Sequence, residues 1–268
     1  MEIEDTRKLN LFNLKILSRY FNAPTDELIE YYNSVLDDRR FIEEINAKIC
    51  EVKEETGFSK GIFSMTTIPS IDWFAFERIL IYVLIRLLRP HFVLETGVYY
   101  GGNSAFALLA LEHNGVGRMV SVDYPESDIR ADGNGESRHP LVGDTELYQS
   151  TLRPGFMVPP YLHERWTLIE GDSLKVIPTL KETFDFYIHD SDHSMPFLSK
   201  ELDAAWGRLS ERAFLLVDDI DWSNAFYAFC VKHRLYPLLM TDNGKDDLRV
   251  RVGIASRCHK YNSDDLFT

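Results

Sequence analysis

The spacing of apolar residues divides the chain into a helical first part and a second part of short apolar runs. Up to about residue 90 the pattern indicates helices: apolar residues are crowded at mixed spacing near the start and recur every three to four residues from Trp73 to Leu87, which marks one buried face. Thr25 is a candidate N-cap for one helix, and Asp72 for a later helix that Pro90 ends. We therefore predict an N-terminal helical extension over residues 1–70.

From residue 92 the pattern changes to runs of four to six apolar residues, which alternate with helical stretches. This alternation is typical of a parallel sheet with helices on both faces. Two later apolar segments flank a turn-rich stretch at 242–247 and predict an antiparallel hairpin. The runs are 92–95, 119–123, 166–170, 184–188 and 214–217, and the hairpin segments are 236–240 and 248–254.

Composition limits the partners and the compartment. The net charge of −13 argues against nucleic acids and anionic membranes, because these partners need a basic face. Cys50, Cys230 and Cys258 are widely separated, so neither a disulfide framework nor a cysteine zinc site is predicted. The acidic N-terminus does not resemble a signal peptide, and the expected location is cytoplasmic.

The segment ETGVYYGGNS at residues 95–104 follows the first predicted strand, where open α/β sheets bind ligands. Its glycines allow the backbone to approach a ligand closely. The segment lacks the G-x-G-x-x-G spacing that holds a pyrophosphate. The carboxylate of Glu95 would repel a pyrophosphate and attract a cationic amino group.

Two more acidic positions complete a predicted nucleoside site. Asp123 ends the second run, where an acidic side chain accepts hydrogen bonds from ribose hydroxyls. Asp172, in the Gly-Asp-Ser sequence after the third run, can contact an adenine edge. Together with Glu95 they predict a nucleoside that carries a cationic tail. In the alternative interpretation the glycines only shape turns and the acids only cap helices.

These features in this order resemble class I S-adenosylmethionine-dependent methyltransferases over roughly residues 70–256. The resemblance implies an α/β, Rossmann-like doubly wound sheet with strand order 3-2-1-4-5-7-6 and an antiparallel terminal hairpin. It implies a methyltransferase domain over residues 71–268 with an insertion at 124–165. It further implies that S-adenosylmethionine is held by Glu95, Gly97, Gly101, Asp123 and Asp172, and Thr96, Ser104 and Ser173 of the same segments are added to the predicted cofactor site.

Acidic residues also end the fourth and fifth runs, which are neighbouring strands in the implied order. Neighbouring strands lie about 4.8 Å apart, so Asp190, Asp218 and Asp219 are expected to converge at one edge of the cofactor cleft. Carboxylates this close together are unfavourable unless protons, basic side chains or a cation neutralise their charge. Among cations, carboxylate oxygens suit Mg²⁺ best. Asp218 and Asp219 can both be ligands only if the strand has ended, because adjacent strand residues point to opposite faces.

This acidic cluster resembles the metal-dependent O-methyltransferase branch, which includes the catechol, macrocin and cephamycin types. The resemblance implies Asp190, Asp218 and Asp219 as metal ligands, with Asp190 also catalytic, and His193 as the general base three positions later. An imidazole with its ordinary pKa near 6.5 can accept a hydroxyl proton. Alternatively, Asp190 is a polar strand end and His193 caps the next helix or faces solvent. His189 is expected to point into the sheet.

The predicted function is methyl transfer from S-adenosylmethionine to a hydroxyl of a small molecule or natural product, assisted by a divalent cation. Proximity and alignment of the two reactants supply up to about 7–11 kcal/mol in such a reaction. The alternatives are a metal-independent methyltransferase of another acceptor and a non-catalytic cofactor-binding subunit. The chain lacks the G-x-G spacing of a dehydrogenase and the G-x-S-x-G motif of a hydrolase, which argues against both classes.

The extension and the insertion are expected to cover the acceptor site or to form a homodimer interface. Residues 222–226 are expected to line the acceptor pocket or to pack against the next helix.

Overall fold

A computed structural model of the chain describes residues 3–56, 76–124, 153–241 and 250–259. Within the described residues, the chain before residue 90 is helical, as predicted. Thr25 is the first residue of its helix rather than the N-cap, which is Pro24. The Thr25 hydroxyl instead shares a hydrogen bond of 2.8 Å with Ser18 Oγ. Asp72 lies outside the described residues. The helices are α1 Ile3–Phe21, α2 Thr25–Leu36, α3 Arg39–Thr56 and α4 Phe76–Leu88.

Within the described residues, seven strands form one sheet in the order β3-β2-β1-β4-β5-β7-β6. The first five strands pair in parallel, and β7 is antiparallel to both β5 and β6. The predicted order, parallel core and terminal hairpin are confirmed. The strands are β1 Phe92–Thr96, β2 Arg118–Asp123, β3 Trp166–Glu170, β4 Phe184–His189, β5 Leu209–Val217, β6 Leu238–Thr241 and β7 Val250–Ser256.

Strand β5 begins at Leu209, five residues before the predicted start at 214. The added residues include the polar sequence Ser-Glu-Arg at 210–212, which hides the strand from a search for apolar runs. Exposed polar residues are tolerated there because the rest of the strand supplies the buried positions.

Helices cover both faces of the sheet, and each face has its own apolar core. Val93 and Leu94, which are neighbours in β1, belong to different cores, so β1 is buried on both faces as in other parallel sheets. Helices α1 to α5 contribute to the first core, and α7 and α8 to the second. The remaining helices are α5 Gly102–Asn114, α6 Ser173–Val176, α7 Met195–Trp206 and α8 Ala225–His233.

The N-terminal helices share a core with α4 and α5 and are also joined to them by polar contacts. The Tyr82 hydroxyl of α4 lies 2.9 Å from Ser34 Oγ of α2 and 2.6 Å from His113 Nδ1 of α5. The other ring nitrogen of His113 lies 3.0 Å from an oxygen of Asp38. A role for this extension as a cover or dimer interface stays a prediction. Among the helices described, none is long and apolar enough to traverse a lipid bilayer.

Candidate active site

The glycine segment forms the turn from β1 into α5 at the carboxyl edge of the sheet. Gly97 has φ +79°, and a Cβ there would lie 1.9 Å from the backbone oxygen of Asp190. Gly101, the N-cap of α5, has φ +89°. Only glycine fits the position of Gly97, because any side chain would overlap the backbone beyond β4. The turn therefore packs directly against Asp190, from the predicted metal site.

Asp123 ties the end of β2 to the glycine turn. Its two carboxylate oxygens accept hydrogen bonds from the backbone N–H groups of Val98 at 3.3 Å and Tyr99 at 3.2 Å. Burial raises the pKa of Asp123 to about 6, although these backbone hydrogen bonds act in the opposite direction. A carboxylate has about four acceptor positions, so the predicted contact with ribose hydroxyls remains open to it.

Glu95 is fully buried and belongs to a polar network between β1, β2 and α5. Its Oε2 accepts hydrogen bonds of 2.6 Å from both Ser104 Oγ and Ser121 Oγ, and Trp166 Nε1 donates to Ser121 Oγ at 2.8 Å. Its Oε1 has no hydrogen-bond partner among the described residues. A buried acceptor without a donor is costly, so this atom fits the predicted contact with a cationic group of the cofactor.

Burial raises the pKa of Glu95 to about 7 from 4.5, and the Ser104 and Ser121 hydroxyls reduce the rise. The proton retained in the folded state stabilises the protein below pH 4.5, and this stabilisation is lost as pH rises through about 7. We therefore expect wild type to lose about 3 kcal/mol of unfolding free energy relative to Glu95→Gln as the pH rises from 4.5 to 7.5. Urea denaturation across this range measures it, and a constant difference would contradict it. Asp123 is present in both proteins, so its titration cancels.

Asp172, Thr96 and Ser173 were all predicted to contact the cofactor, and the structure places them differently. Asp172 is the N-cap of α6 and accepts a hydrogen bond of 3.0 Å from the Leu174 N–H. The hydroxyls of Thr96 and Ser173 instead donate to the carboxylate of Glu201 in α7. The hydroxyls of Thr96 and Ser173 are therefore directed toward α7, and their contact with the cofactor stays a prediction.

Glu201 was missed by the sequence analysis. Its burial would raise its pKa, but hydrogen bonding from His189 and the charge of that ring lower it, together with hydrogen bonds from Ser173 and Ser191. One feature of the sequence indicates that Glu201 is buried and has partners: it shares a face of α7 with the apolar residues Leu198, Leu202 and Ala205. A charged residue on an apolar helix face is rarely buried without partners.

Three carboxylates converge where the predicted metal site was expected. Those of Glu77, Asp190 and Asp218 each place one oxygen within 4.8 Å of the others. The side-chain amide of Asn103 donates to Glu77 at 2.9 Å and to Asp190 at 3.0 Å. The sequence analysis missed Glu77, which is the acidic residue in the first turn of the otherwise apolar helix α4.

Asp219 has no oxygen in this three-carboxylate cluster. Strand β5 ends at Val217, as the prediction of paired ligands required, but Asp219 has φ +46° and its carboxylate binds Arg251 Nη1 at 3.0 Å. The salt bridge to the neighbouring strand β7 holds this side chain. The structure therefore brings together Asp190 and Asp218 of the predicted ligands and adds Glu77.

His193 lies beside the three-carboxylate cluster. Its Nε2 is 3.8 Å from Asp190 Oδ1. Its ring packs perpendicular to the ring of His189 at 5.4 Å between centroids and lies 6.1 Å from the ring of Trp222. His189 is fully buried, in agreement with the expectation that it points into the sheet.

Comparisons with known proteins bear on this arrangement. A family model described as "Methyltransferase domain" matches residues 94–220, which include the glycine turn, Asp123, Asp190 and Asp218. This chain carries a methyltransferase domain over residues 94–220. No curated protein sequence matches the methyltransferase.

Solved structures show the same fold. An O-methyltransferase from Bacillus cereus in complex with S-adenosylhomocysteine has 16% identity and a TM-score of 0.51, with 85% of this chain and 96% of that chain covered. TomG, an O-methyltransferase from Streptomyces achromogenes involved in tomaymycin synthesis and solved with S-adenosylmethionine, has 15% identity and a TM-score of 0.51, with 80% and 89% covered. At this identity the likeness establishes the shared fold of the methyltransferase.

Proposed function

We propose that the methyltransferase transfers a methyl group to a hydroxyl of a small molecule, assisted by a divalent cation. The observation that supports this best is the convergence of Glu77, Asp190 and Asp218 beside His193. Because the backbone of Asp190 also packs against Gly97, this cluster borders the predicted cofactor turn. Both reactants would therefore meet at one edge of the sheet.

S-adenosylmethionine supplies an electrophilic methyl group when it is bound. In our proposal Glu95 Oε1 accepts a hydrogen bond from the cationic amino group, since this buried atom has no donor in the part of the chain that the structure describes. Asp123 holds the ribose hydroxyls while it also holds the backbone of Val98 and Tyr99. Asp172 contributes from the start of α6, where its side chain already caps the helix.

The oxygen-only donor set of the three-carboxylate cluster fits a hard divalent cation, with Mg²⁺ preferred. Glu77, Asp190 and Asp218 would hold the ion, which would polarise a hydroxyl oxygen and lower its pKa. Asp219 is left out of this ligand set because it binds Arg251. Three acidic side chains at this spacing repel one another, so a cation would also relieve their repulsion.

His193 is the proposed general base, because its Nε2 lies 3.8 Å from Asp190 Oδ1 in the three-carboxylate cluster. Two large exposed apolar side chains lie near His193: Met195, two residues later, is 49% exposed, and Trp222, whose ring lies 6.1 Å from that of His193, is 53% exposed. Exposed apolar surface around a polar cluster suits a small acceptor with an apolar body and a hydroxyl. The net charge of −13 further favours such an acceptor over a nucleic acid.

The proposal is tested by incubating the purified protein with S-adenosylmethionine and a panel of hydroxylated small molecules, with S-adenosylhomocysteine formation as the readout. For any accepted hydroxyl compound, we expect EDTA to reduce the rate at least about a hundredfold and added Mg²⁺ to restore it. Full activity in EDTA would contradict the metal-assisted mechanism. Methylation of amines but of no hydroxyl would contradict the proposed acceptor class.

A further inference from the structure

Five side-chain donors lie within hydrogen-bond distance of the carboxylate of Glu201, which is fully buried in α7. Both oxygens are used, and the donors belong to β1, β4 and the segments after β3 and β4. Oε2 lies 2.6 Å from His189 Nδ1, 2.8 Å from Ser191 Oγ, 2.9 Å from Thr96 Oγ1 and 3.1 Å from the Tyr187 hydroxyl, and Oε1 accepts from Ser173 Oγ. The Thr96 and Tyr187 hydroxyls also lie 2.8 Å apart, so Thr96 shares its hydrogen between Tyr187 and Glu201.

Four of these five donors are direct chain neighbours of residues in the proposed site. A shift of any one of these donors would therefore move a residue that contacts the cofactor or belongs to the three-carboxylate cluster. Thr96 precedes Gly97, Ser173 follows Asp172, and His189 and Ser191 flank Asp190.

Backbone hydrogen bonds extend this effect to β5. The Asp190 N–H donates to the Thr96 carbonyl at 2.9 Å, and the Asp218 N–H donates to the His189 carbonyl at 3.0 Å. The ring of His189 also packs perpendicular to that of His193. Glu201 is thus connected, through His189 and Thr96, to Asp190, to Asp218 and to the proposed base.

An ionised buried carboxylate is stable only when donors replace the water it has lost. The same requirement holds each donor in place, because a hydroxyl that leaves Glu201 loses its partner in a buried environment. Two apolar residues, Leu198 and Leu202, flank Glu201 on the buried face of α7, so water does not readily substitute. The network therefore favours one arrangement of the three loops.

We propose that Glu201 is a positioning residue, which acts through Thr96, Ser173 and His189 to hold the loops after β1, β3 and β4 in the arrangement that binds cofactor and acceptor. Glu201 makes no contact with either reactant. This inference rests on the proposed function only because the proposed function names the cofactor-binding and cation-binding residues that these loops carry.

The test uses Glu201→Gln, which keeps the shape of the side chain but removes its charge and converts one acceptor into a donor. Calorimetric titration with S-adenosylhomocysteine should show a Kd about tenfold above that of the wild type. Amide hydrogen exchange should lose protection at 96–98, 172–174 and 189–191, but not in β7. Glu211→Gln is the matched control, because Glu211 is an exposed β5 carboxylate paired with Arg257 at 3.3 Å, and it should leave both readouts unchanged.

A Glu201→Gln protein with wild-type affinity and wild-type exchange at all three loops would overturn the inference. Uniform loss of protection, β7 included, would also overturn it, since it would indicate a general structural role. If Glu201→Gln does not fold, Ser173→Ala removes only the Oε1 donor and should loosen 172–174 while 189–191 stays protected. If the wild type does not bind S-adenosylhomocysteine, the proposed function fails, and the exchange pattern still decides the role of Glu201.

Discussion

Gly97→Ala should lower the free energy of unfolding of the methyltransferase domain far more than Gly115→Ala does. Both glycines have positive φ angles, +79° and +67°, so both variants carry the strain of that conformation, about 1–2 kcal/mol. Only at Gly97 would the new Cβ lie 1.9 Å from the Asp190 backbone oxygen, while nothing lies within 4 Å at Gly115. Moving a backbone segment to make room adds overpacking cost, so we expect a total loss of about 3–5 kcal/mol for Gly97→Ala.

Chemical denaturation of both variants measures this difference, and Gly115→Ala is its control. Gly97→Ala should also lose affinity for S-adenosylhomocysteine, because relief of the overlap moves the glycine turn away from Asp190. Equal stability losses in the two variants would show that the close approach of the turn to Asp190 is not a constraint on this fold.

Asp190→Ala should lower the rate of methyl transfer at least about a hundredfold, the scale expected when a proton-transfer or charge-orienting group is removed. Asp190 belongs to the three-carboxylate cluster and lies 3.8 Å from His193, so its loss affects both the proposed cation site and the proposed base. The substitution removes a negative charge that repels Glu77 and Asp218, so the free energy of unfolding should decrease much less than the loss of activity would suggest.

The rate is measured with an acceptor identified in the hydroxyl panel, at saturating S-adenosylmethionine. Asp203→Ala is the control for loss of an acidic side chain, because Asp203 lies on α7 in an exposed pair with Lys232. Exposed pairs of this kind contribute little to stability, so its rate should equal that of the wild type. An Asp190→Ala protein that retains the wild-type rate would exclude a catalytic role for the cluster.

The sheet was predictable from sequence because its central parallel strands β1, β2 and β4 are mostly buried and appear in the sequence as apolar runs. The end of β1 was predictable because its glycines mark a turn, and the structure adds a requirement at Gly97, where the Asp190 backbone leaves no room for a side chain. Only the polar start of β5 was missed among these elements. Strand order followed from the family resemblance and not from the spacing of residues.

The side-chain partners were harder to predict. Glu77 and Glu201 are single acidic residues on apolar helix faces, and the residues they meet belong to other elements of the fold. Asp219 shows the reverse case: its sequence position beside Asp218 suggested a shared role, but β7 places Arg251 against it. Sequence spacing identifies which strand ends meet, whereas the direction of each side chain depends on packing from distant elements.

In the proposed function, the cleft beside the glycine turn binds an adenosyl cofactor with a cationic amino acid tail. Isothermal calorimetry of the wild-type protein with S-adenosylhomocysteine and with NAD is the decisive test. We expect one S-adenosylhomocysteine site per chain, weakened by Glu95→Gln, and no NAD binding, because Glu95 disfavours a pyrophosphate. Binding of NAD in place of S-adenosylhomocysteine, or S-adenosylhomocysteine binding that Glu95→Gln leaves unchanged, would contradict it.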